Sequence, residues 1–294
     1  MRYLQIKFPN STAIKFQLAR IFTNITQSRI KFPFLRASIP KLFTLCIFLA
    51  FAPIAAAQGT IKNVDVEIVL AVDASGSINR NELQLQLNGI ASAFRDPLVL
   101  DAISKGVHQS IAVAMLIWSD AGYPKYPTEW FIVNSPQSAE LFAKRVETFN
   151  NRHGALTAIG GGGTGLGDGL AFALNMLEIN EITATRKIVD VSGDGPETAP
   201  WNKGAIILPI ARFIALTNKT IVNGLAIETD DANLSNWYRQ NLISGPGSFT
   251  ITASRFEDYA RAIRLKLIRE FSPVAIGFQA PDYPVPAQTI MVKN

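Results

Sequence analysis

Thiols and imidazoles are scarce in this chain of 294 residues, which has one cysteine and two histidines. The cysteine, Cys46, lies near the N-terminus, so residues 58–294 contain no thiol. A disulfide scaffold, a cysteine-based zinc site, an iron–sulfur cluster and a cysteine nucleophile are therefore excluded for that part of the chain. A body without thiols is also compatible with an oxidising compartment.

Acidic residues are absent from residues 1–57, which carry eight basic side chains. The formal net charge of +5 is therefore the sum of a basic N-terminal segment and a remainder with a different charge. Residues 58–294 hold 20 basic and 23 acidic side chains, which gives a net charge of −3. Because a mildly acidic body has no general attraction for phosphate backbones, we expect no nucleic acid partner.

The longest apolar run, residues 42–57, follows these basic residues and ends in three alanines before Gln58. As a helix it would span roughly 24 Å, which is short of a bilayer core of about 30 Å. A basic region, a short apolar core and a small-residue end predict that residues 1–57 are a signal peptide or leader. The protein is then exported, either periplasmic or secreted, with no membrane contact beyond the leader. The alternative is an uncleaved N-terminal membrane anchor, and sequencing of the mature N-terminus separates the two.

Strand-like and helix-like segments alternate through the rest of the chain. The first predicted strand, 64–72, is rich in β-branched residues, and the helix predicted over 79–94 has one apolar stripe. The other predicted strands are 110–118, 129–133, 187–191, 220–227 and 248–251, and the other predicted helices are 136–149, 165–177, 206–217, 233–241 and 254–270. This order predicts a three-layer α/β/α domain with a doubly wound, mostly parallel central sheet and a short antiparallel edge strand.

Local signals set the predicted bounds of this domain, which we place at residues 58–270. Ser135 before Pro136 predicts a capped helix start, and Ser254 with Glu257 predicts a capping box at the last helix. Residues 271–294 contain the proline-rich stretch PDYPVP and no clear period. We therefore expect an extended C-terminal tail.

Oxygen-bearing side chains alternate in the loop after the first predicted strand. One residue separates Asp73 from Ser75, and one residue separates Ser75 from Ser77. The second of these, Gly76, lets the backbone turn tightly. Oxygen-only ligands suit a hard cation, and few charges combined with hydroxyls suit Mg²⁺ or Mn²⁺ better than Ca²⁺. For this short motif taken alone, a turn without a ligand is the alternative interpretation.

Two further loops carry the same chemistry. Thr164 lies in the glycine-rich stretch 160–165, at the start of a predicted helix, and Asp194 follows the predicted strand KIVDV. In doubly wound sheets, ligands bind beyond the carboxyl ends of the strands, where the strand order reverses. We therefore expect all three loops to lie at one edge of the sheet.

Together these segments resemble the von Willebrand factor A domain and its metal-ion-dependent adhesion site. The resemblance extends over about residues 64–270 and includes the motifs DASGS, GGGTGLGDGL and VSGDG. The residues that match the metal site are Asp73, Ser75, Ser77, Thr164 and Asp194. The resemblance implies a divalent ion, usually Mg²⁺, held directly by the serines and directly or through water by the other ligands. It also implies an open coordination position for a carboxylate of a protein partner.

The sequence VDVSGDG, and the residues WSD at the end of the second predicted strand, resemble a poorly characterised bacterial branch of that superfamily. Two positions depart from the family pattern: Gly193 stands where the family often has threonine, and Asp190 places a carboxylate inside a strand. A buried carboxylate needs a partner or an orientation towards the site. The implied function is metal-dependent binding or adhesion without catalysis, with the oligomeric state left open.

Nucleotide binding is a competing interpretation of the glycine-rich loop. Gly160, Gly162 and Gly165 satisfy G-x-G-x-x-G, and such a loop can cradle a phosphate at a helix N-terminus. However, no convincing strand precedes the loop and no lysine follows it as in a P-loop. Nucleotide binding is therefore disfavoured.

Hydrolysis is the enzymatic alternative. A serine hydrolase would need His108 or His153 as its base, and the sequence has no G-x-S-x-G elbow. A metal-dependent hydrolase of the phosphoesterase type is the stronger rival, because a hard cation can activate bound water. Its candidate carboxylates are Asp120, Asp168, Asp190 and Glu197. Of these, Asp168 is more simply explained as a first-turn residue favoured by the helix dipole.

Trp201 lies shortly after the Asp194 loop in the sequence. An aromatic side chain at this place is a candidate for a recognition surface beside the metal. Packing within the loop is the simpler explanation, because tryptophan buries a large apolar area.

Overall fold

A computed structural model describes residues 62–152, 162–198, 204–273 and 289–291. The predicted leader, residues 1–57, lies outside these residues, so export and cleavage stay predictions. Within the part of the chain that the structure describes, no helix is both long and apolar enough to cross a membrane.

Strands and helices alternate as the sequence predicts. The strands are β1 (Lys62–Asp73), β2 (Ile111–Trp118), β3 (Tyr126–Pro127), β4 (Phe131–Val133), β5 (Ile182–Gly193), β6 (Ile221–Ile227), β7 (Thr250–Ala253) and β8 (Thr289–Met291). The helices are α1 (Arg80–Phe94), α2 (Pro97–Ser104), α3 (Pro136–Arg152), α4 (Leu166–Glu178), α5 (Leu208–Thr217), α6 (Leu234–Asn241) and α7 (Tyr259–Phe271).

These strands form one mixed sheet in the order β3-β2-β1-β5-β6-β7-β8, with β4 also paired to β2. The pairs from β2 through β1, β5, β6 and β7 to β8 are parallel, and β3 and β4 pair with β2 in the antiparallel direction. The predicted fold class is therefore confirmed, including the short antiparallel edge.

Helices cover both faces of the sheet. One core lies between the sheet and α1, α2, α3 and α7, and a second lies between the sheet and α4, α5 and α6. Strand β2 is buried at all eight positions because both of its faces are covered. This two-sided burial explains the nearly continuous apolar character of the central strands.

Of the two helix caps that the sequence predicts, one forms and one does not. The cap at Ser135 forms, since its Oγ accepts a hydrogen bond from the Ser138 N–H at 3.2 Å. The predicted capping box of Ser254 and Glu257 does not form, because residues Phe256–Asp258 make a 3-10 turn before α7 and no side chain caps it. Helix α2 is an addition to the prediction, although Asp96 before Pro97 is a typical start signal and its Oδ1 accepts from the Leu98 N–H at 2.8 Å.

The C-terminal tail adds to the sheet. Thr289–Met291 pairs with β7 as the parallel edge strand β8, within the segment that the sequence predicts to be an extended tail. Residues 274–288 and 292–294 lie outside the described residues.

The strand order reverses at β1, because β2 lies on one side of it and β5 on the other. A crevice therefore opens beyond the carboxyl ends of β1 and β5, where ligands bind in doubly wound sheets. Asp73 is the last residue of β1, and Asp194 directly follows β5. The topology thus places both candidate aspartates at this crevice.

Candidate metal centre

Asp73 is the deepest group of the site, with none of its surface exposed. Its Oδ1 accepts a hydrogen bond from the Ser75 N–H at 2.7 Å, whereas its Oδ2 is buried without a hydrogen-bond partner. Burial, followed by the nearby charge of Asp194, raises the pKa of Asp73 to about 8. In the absence of a cation, the folded site therefore resists ionisation of this carboxyl group.

Hydroxyl groups from two loops connect Asp73 to the second carboxylate. Ser77 Oγ donates a hydrogen bond to Asp194 Oδ1 at 2.8 Å. Ser75 Oγ lies 3.4 Å from Ser77 Oγ, and Thr164 Oγ1 donates to Ser75 Oγ at 3.5 Å. All five residues predicted as metal ligands are therefore brought together at one point.

Asp194 is also almost fully buried. Burial raises its pKa, the hydrogen bond from Ser77 opposes this shift, and the charges of Asp230 and Glu82 add to it. Neither Asp73 nor Asp194 forms an ion pair with a lysine or arginine among the residues that the structure describes. Two neighbouring carboxylates thus lack a compensating positive charge there.

The two strands that carry the aspartates are held together beneath the site. Gln86 of α1 donates from Nε2 to the Asp73 carbonyl at 3.2 Å and accepts from Ser192 Oγ at 3.4 Å. Ser192 also accepts from the Tyr259 hydroxyl at 3.3 Å. This chain of buried polar groups supports the loop from the first core and gives no local signal in the sequence.

The Thr164 loop is held in place by hydrogen bonds of its backbone to Thr198 and Asp120. The Thr164 N–H donates to Thr198 Oγ1 at 2.8 Å, and the Thr198 N–H donates to the Thr164 carbonyl at 3.1 Å. Gly163 donates to Asp120 Oδ2 at 3.3 Å. Asp120 therefore shapes the loop that presents the threonine hydroxyl.

Two of the other carboxylates considered for hydrolysis are engaged in structural contacts. Glu197 accepts from the N–H groups of Gly167 at 2.9 Å and Leu208 at 3.0 Å, which satisfies the first turns of α4 and α5. Asp168 pairs with Lys125. Burial opposes ionisation of Asp168, but the hydrogen bond and charge of Lys125, together with backbone N–H donors, outweigh it and hold the pKa below its usual value.

The last of these carboxylates, Asp190, has the partner that a strand carboxylate needs. Its Oδ1 lies 2.8 Å from Lys266 Nζ of α7, within the first core and away from the metal centre. His108 lies at the opposite end of the sheet, where its backbone N–H donates to Asp65. His153, Trp201 and Gly160 lie outside the described residues, so the predictions for them are untested.

Gly193 lies where a side chain would have no room. A Cβ atom at this position would lie 2.7 Å from Asp73 Oδ2 and 2.9 Å from the Tyr238 hydroxyl oxygen. Either contact is too short for a real side chain, so a threonine would displace one of these groups. Burial, together with the charges of Asp73 and Asp194, raises the pKa of Tyr238 well above its usual value.

The donor set suits a small, hard cation. The described residues contain no group of three or more histidine, cysteine, aspartate or glutamate side chains that could hold a metal ion. The site instead combines two carboxylates with three hydroxyls, and the buried Oδ2 of Asp73 is left for a positively charged ligand. Oxygen donors of low total charge fit Mg²⁺ or Mn²⁺.

A family model described as "Protein of unknown function (DUF1194)" matches residues 63–275. A search of curated proteins finds no match. Among solved structures, the pilus adhesin SpaC from Lactobacillus rhamnosus GG is 19% identical with a TM-score of 0.47, over 73% of this chain and 32% of that chain. The vWF domain of the type V pili tip protein Mfa5 from Porphyromonas gingivalis is 12% identical with a TM-score of 0.43, over 72% of this chain and 98% of that chain.

Proposed function

Because the chain belongs to the DUF1194 family, whose description states no activity, we propose its function from the site itself. The protein is an exported von Willebrand factor A-like domain that binds a divalent cation through Asp73, Ser75, Ser77, Thr164 and Asp194. The bound cation engages an acidic group of a protein partner. The protein acts as an interaction or adhesion module without catalysis.

The observation that carries this proposal is the unpartnered Oδ2 of Asp73. A buried carboxyl oxygen without a hydrogen-bond partner is costly, and a second carboxylate close by makes its ionisation costlier still. Natural proteins keep such an arrangement where it has a use, and a divalent cation would satisfy the oxygen and neutralise both aspartates. The hydroxyls of Ser75, Ser77 and Thr164 complete the set of oxygen donors.

The charge balance supports an acidic partner. Two aspartates compensate the two charges of the cation, whereas serine and threonine hydroxyls donate no charge. A carboxylate from another protein then meets an ion that is still a good acceptor for a hard oxygen ligand. Mg²⁺ is the preferred ion, Mn²⁺ is an acceptable one, and Ca²⁺ fits less well because it requires more ligands.

Binding is favoured over hydrolysis by what the other carboxylates do. Asp120, Asp168, Asp190 and Glu197 contact backbone N–H groups or lysines that hold the fold together. A metal-dependent hydrolase would need one of them as a general base near the ion. We therefore expect no turnover of generic phosphoesters with Mg²⁺ or Mn²⁺, and metal-dependent turnover would contradict the proposal.

Metal binding is tested by thermal unfolding of the protein with Mg²⁺ and with a chelator. At a metal concentration of about 100 times the dissociation constant, binding stabilises the folded state by about 2.7 kcal/mol. Asp73→Asn keeps the shape of the side chain and removes its charge, so the stabilisation is expected to disappear. Asp101→Asn is the matched control, because Asp101 is an exposed carboxylate on α2 that pairs with Lys105. An equal response to Mg²⁺ in Asp73→Asn and wild type would contradict the site.

Partner engagement is tested by affinity capture from the exported fraction of the source cells. Capture by the wild-type protein is expected with Mg²⁺ and is lost with a chelator. Asp73→Asn should capture nothing in either condition, whereas Asp101→Asn should behave as wild type. Capture that is independent of both the metal and Asp73 would contradict a metal-mediated contact.

A further inference from the structure

Tyr238 of α6 reaches the metal centre from the second core. It is fully buried, and its ring packs among the apolar residues that α4, α5 and α6 contribute to that core. Its hydroxyl is the polar end of this side chain and lies near the two aspartates. Burial, followed by the charges of Asp73 and Asp194, raises the pKa of the phenol. None of the metal motifs includes this residue, which follows Asp194 by 44 positions in the sequence.

Two strand positions without side chains make room for this ring. A Cβ atom at Gly224 of β6 would lie 2.9 Å from Tyr238 Cδ2. A Cβ atom at Gly193 of β5 would lie 2.9 Å from the Tyr238 hydroxyl oxygen. Glycine weakens a strand interior and often marks a place where another group approaches closely. The adjacent strands β5 and β6 therefore both lack a side chain where the tyrosine enters.

The hydroxyl of Tyr238 has contacts on both sides of the site. It donates a hydrogen bond to the Gly195 carbonyl at 3.4 Å, in the loop that carries Asp194. On the other side, the space next to Gly193 lies between this hydroxyl and Asp73 Oδ2. Asp73 Oδ2 is the buried oxygen without a hydrogen-bond partner. One rigid side chain is thus in a position to set where both carboxylates lie.

We propose that Tyr238 is a positioning residue of the metal centre, whose hydroxyl holds the Gly195 carbonyl and faces Asp73, and so fixes the separation of the two aspartates for cation binding. The inference rests on the proposed function, because it assumes that the aspartates bind a cation. It explains why Gly193 replaces the threonine that the von Willebrand factor A family often has, since the tyrosine hydroxyl takes up the adjoining space.

The physical basis is preorganisation. Without a cation, mutual repulsion opposes ionisation of both carboxyl groups, and no ligand holds their loops at one separation. A fully buried tyrosine packed against β5 and β6 restricts movement of these loops, because buried side chains are closely packed. Groups that orient metal ligands in this way typically change metal affinity 10–100-fold when they are removed.

The test compares Tyr238→Phe with Thr128→Val. Both residues are buried, and both substitutions remove a hydroxyl group. Thr128 lies beside β2, where its Oγ1 accepts a hydrogen bond from the Met115 N–H at 2.9 Å and donates one to the Glu129 carbonyl at 2.9 Å, away from both carboxylates of the site. The measurements are the Mg²⁺ dissociation constant by calorimetry, the metal-free unfolding midpoint, and the near-ultraviolet circular dichroism change on Mg²⁺ addition.

Tyr238→Phe is expected to weaken Mg²⁺ binding by about 10-fold or more. Thr128→Val should change the dissociation constant less than threefold, although both variants lose a buried hydrogen bond. Addition of Mg²⁺ should also change the near-ultraviolet spectrum of wild type and of Thr128→Val, and this change should be reduced in Tyr238→Phe. The spectroscopic readout separates a positioning role from a general loss of packing.

The outcomes distinguish this inference from the function on which it rests. If wild type binds Mg²⁺ and Tyr238→Phe binds it equally well, the positioning role is wrong and the metal site stands. Equal weakening by Tyr238→Phe and Thr128→Val also overturns the inference, because the effect is then one of general stability. If wild type binds no divalent cation, the proposed function itself fails and the inference fails with it.

Discussion

Two pairs of buried carboxylates in this domain differ in one respect. Asp190 and Glu270 lie in the first core and share Lys266, whose Nζ is 2.8 Å from Asp190 Oδ1 and 2.6 Å from Glu270 Oε1. Asp73 and Asp194 lie at the carboxyl edge of the sheet and have no lysine or arginine partner among the described residues. The chain supplies its own cation to the first pair and leaves the second pair without one.

This difference separates a structural cluster from a binding site. In the cluster, Asn223 Nδ2 also donates to Glu270 Oε1 at 2.8 Å, and burial and Glu270 raise the pKa of Asp190 to about 7 although Lys266 opposes the shift. At the metal centre, burial and the neighbouring carboxylate act on Asp73 with no opposing positive charge, and its pKa reaches about 8. A missing cation beside two buried carboxylates is therefore a better indication of an external ligand than burial alone.

The largest expected effect comes from removing the internal cation. Lys266→Met leaves Asp190 and Glu270 buried without a positive partner, and breaking a buried ion pair in this way costs about 3–5 kcal/mol. We expect this loss in the free energy of unfolding, measured with urea at pH 7. The loss should shrink at lower pH, because protonated carboxyl groups no longer need the lysine. A loss under about 1 kcal/mol at pH 7 would show that the cluster does not depend on its cation.

The pH dependence of the metal-free protein gives the next largest effect. The pKa of Asp73 is raised from 3.8 to about 8, so between these values the folded state holds a proton that the unfolded state has released. Stability must then fall as pH rises through this window, by about 1.4 kcal/mol for each pH unit. Asp73→Asn removes this contribution. We expect its free energy of unfolding between pH 6 and pH 7 to fall less steeply than that of wild type, measured in the presence of a chelator.

Asp190 and Glu67 contribute to the same window in both proteins, because burial raises the pKa of each to about 7. The comparison therefore uses the difference between the two slopes and not the slope of wild type alone. Parallel slopes for wild type and Asp73→Asn would mean that Asp73 is ionised in the metal-free fold.

The smallest effect is expected from the exposed counterpart of the lysine cluster. Lys105 pairs with Asp101 at 2.5 Å on the surface of α2, and both side chains are about half exposed. Lys105→Met should change the free energy of unfolding by less than about 1 kcal/mol, because exposed ion pairs contribute little. Lys105→Met is the matched control for Lys266→Met, and both variants are measured by urea unfolding. Similar losses in the free energy of unfolding would show that burial is not the cause of the Lys266→Met effect.

The metal ligands were accessible to sequence analysis because their loops follow strands. Asp73 and Asp194 come directly after β-branched runs, and parallel strands present their carboxyl ends at one edge. The same reasoning could not find Tyr238, because nothing near it in the sequence indicates that α6 packs against the ends of β5 and β6. The role of Gln86 could not be predicted either, because a polar residue on a helix is usually solvent-exposed. Here Gln86 donates a hydrogen bond to the Asp73 carbonyl.

Some local signals were overruled by packing. Ser254 and Glu257 have the spacing of a capping box, yet Phe256 is buried and the chain makes a 3-10 turn at that point. The predicted strand at 187–191 extends over Ile182–Gly193 because β1 provides a parallel partner along most of that length. Capping and propensity are worth about 1 kcal/mol each, which is less than the burial of a large apolar side chain.

The sequence by itself determined the alternation of strands and helices and the oxygen ligands at the strand ends, because both are written in residues close together along the chain. Only the tertiary structure decided which carboxylates receive an internal cation and which do not. Asp190 and Asp194 are four residues apart, but the pleat of β5 directs Asp190 towards Lys266, whereas Asp194 lies beyond the end of the strand beside Asp73. That assignment depends on contacts between distant segments, which set the electrostatic environment of each group.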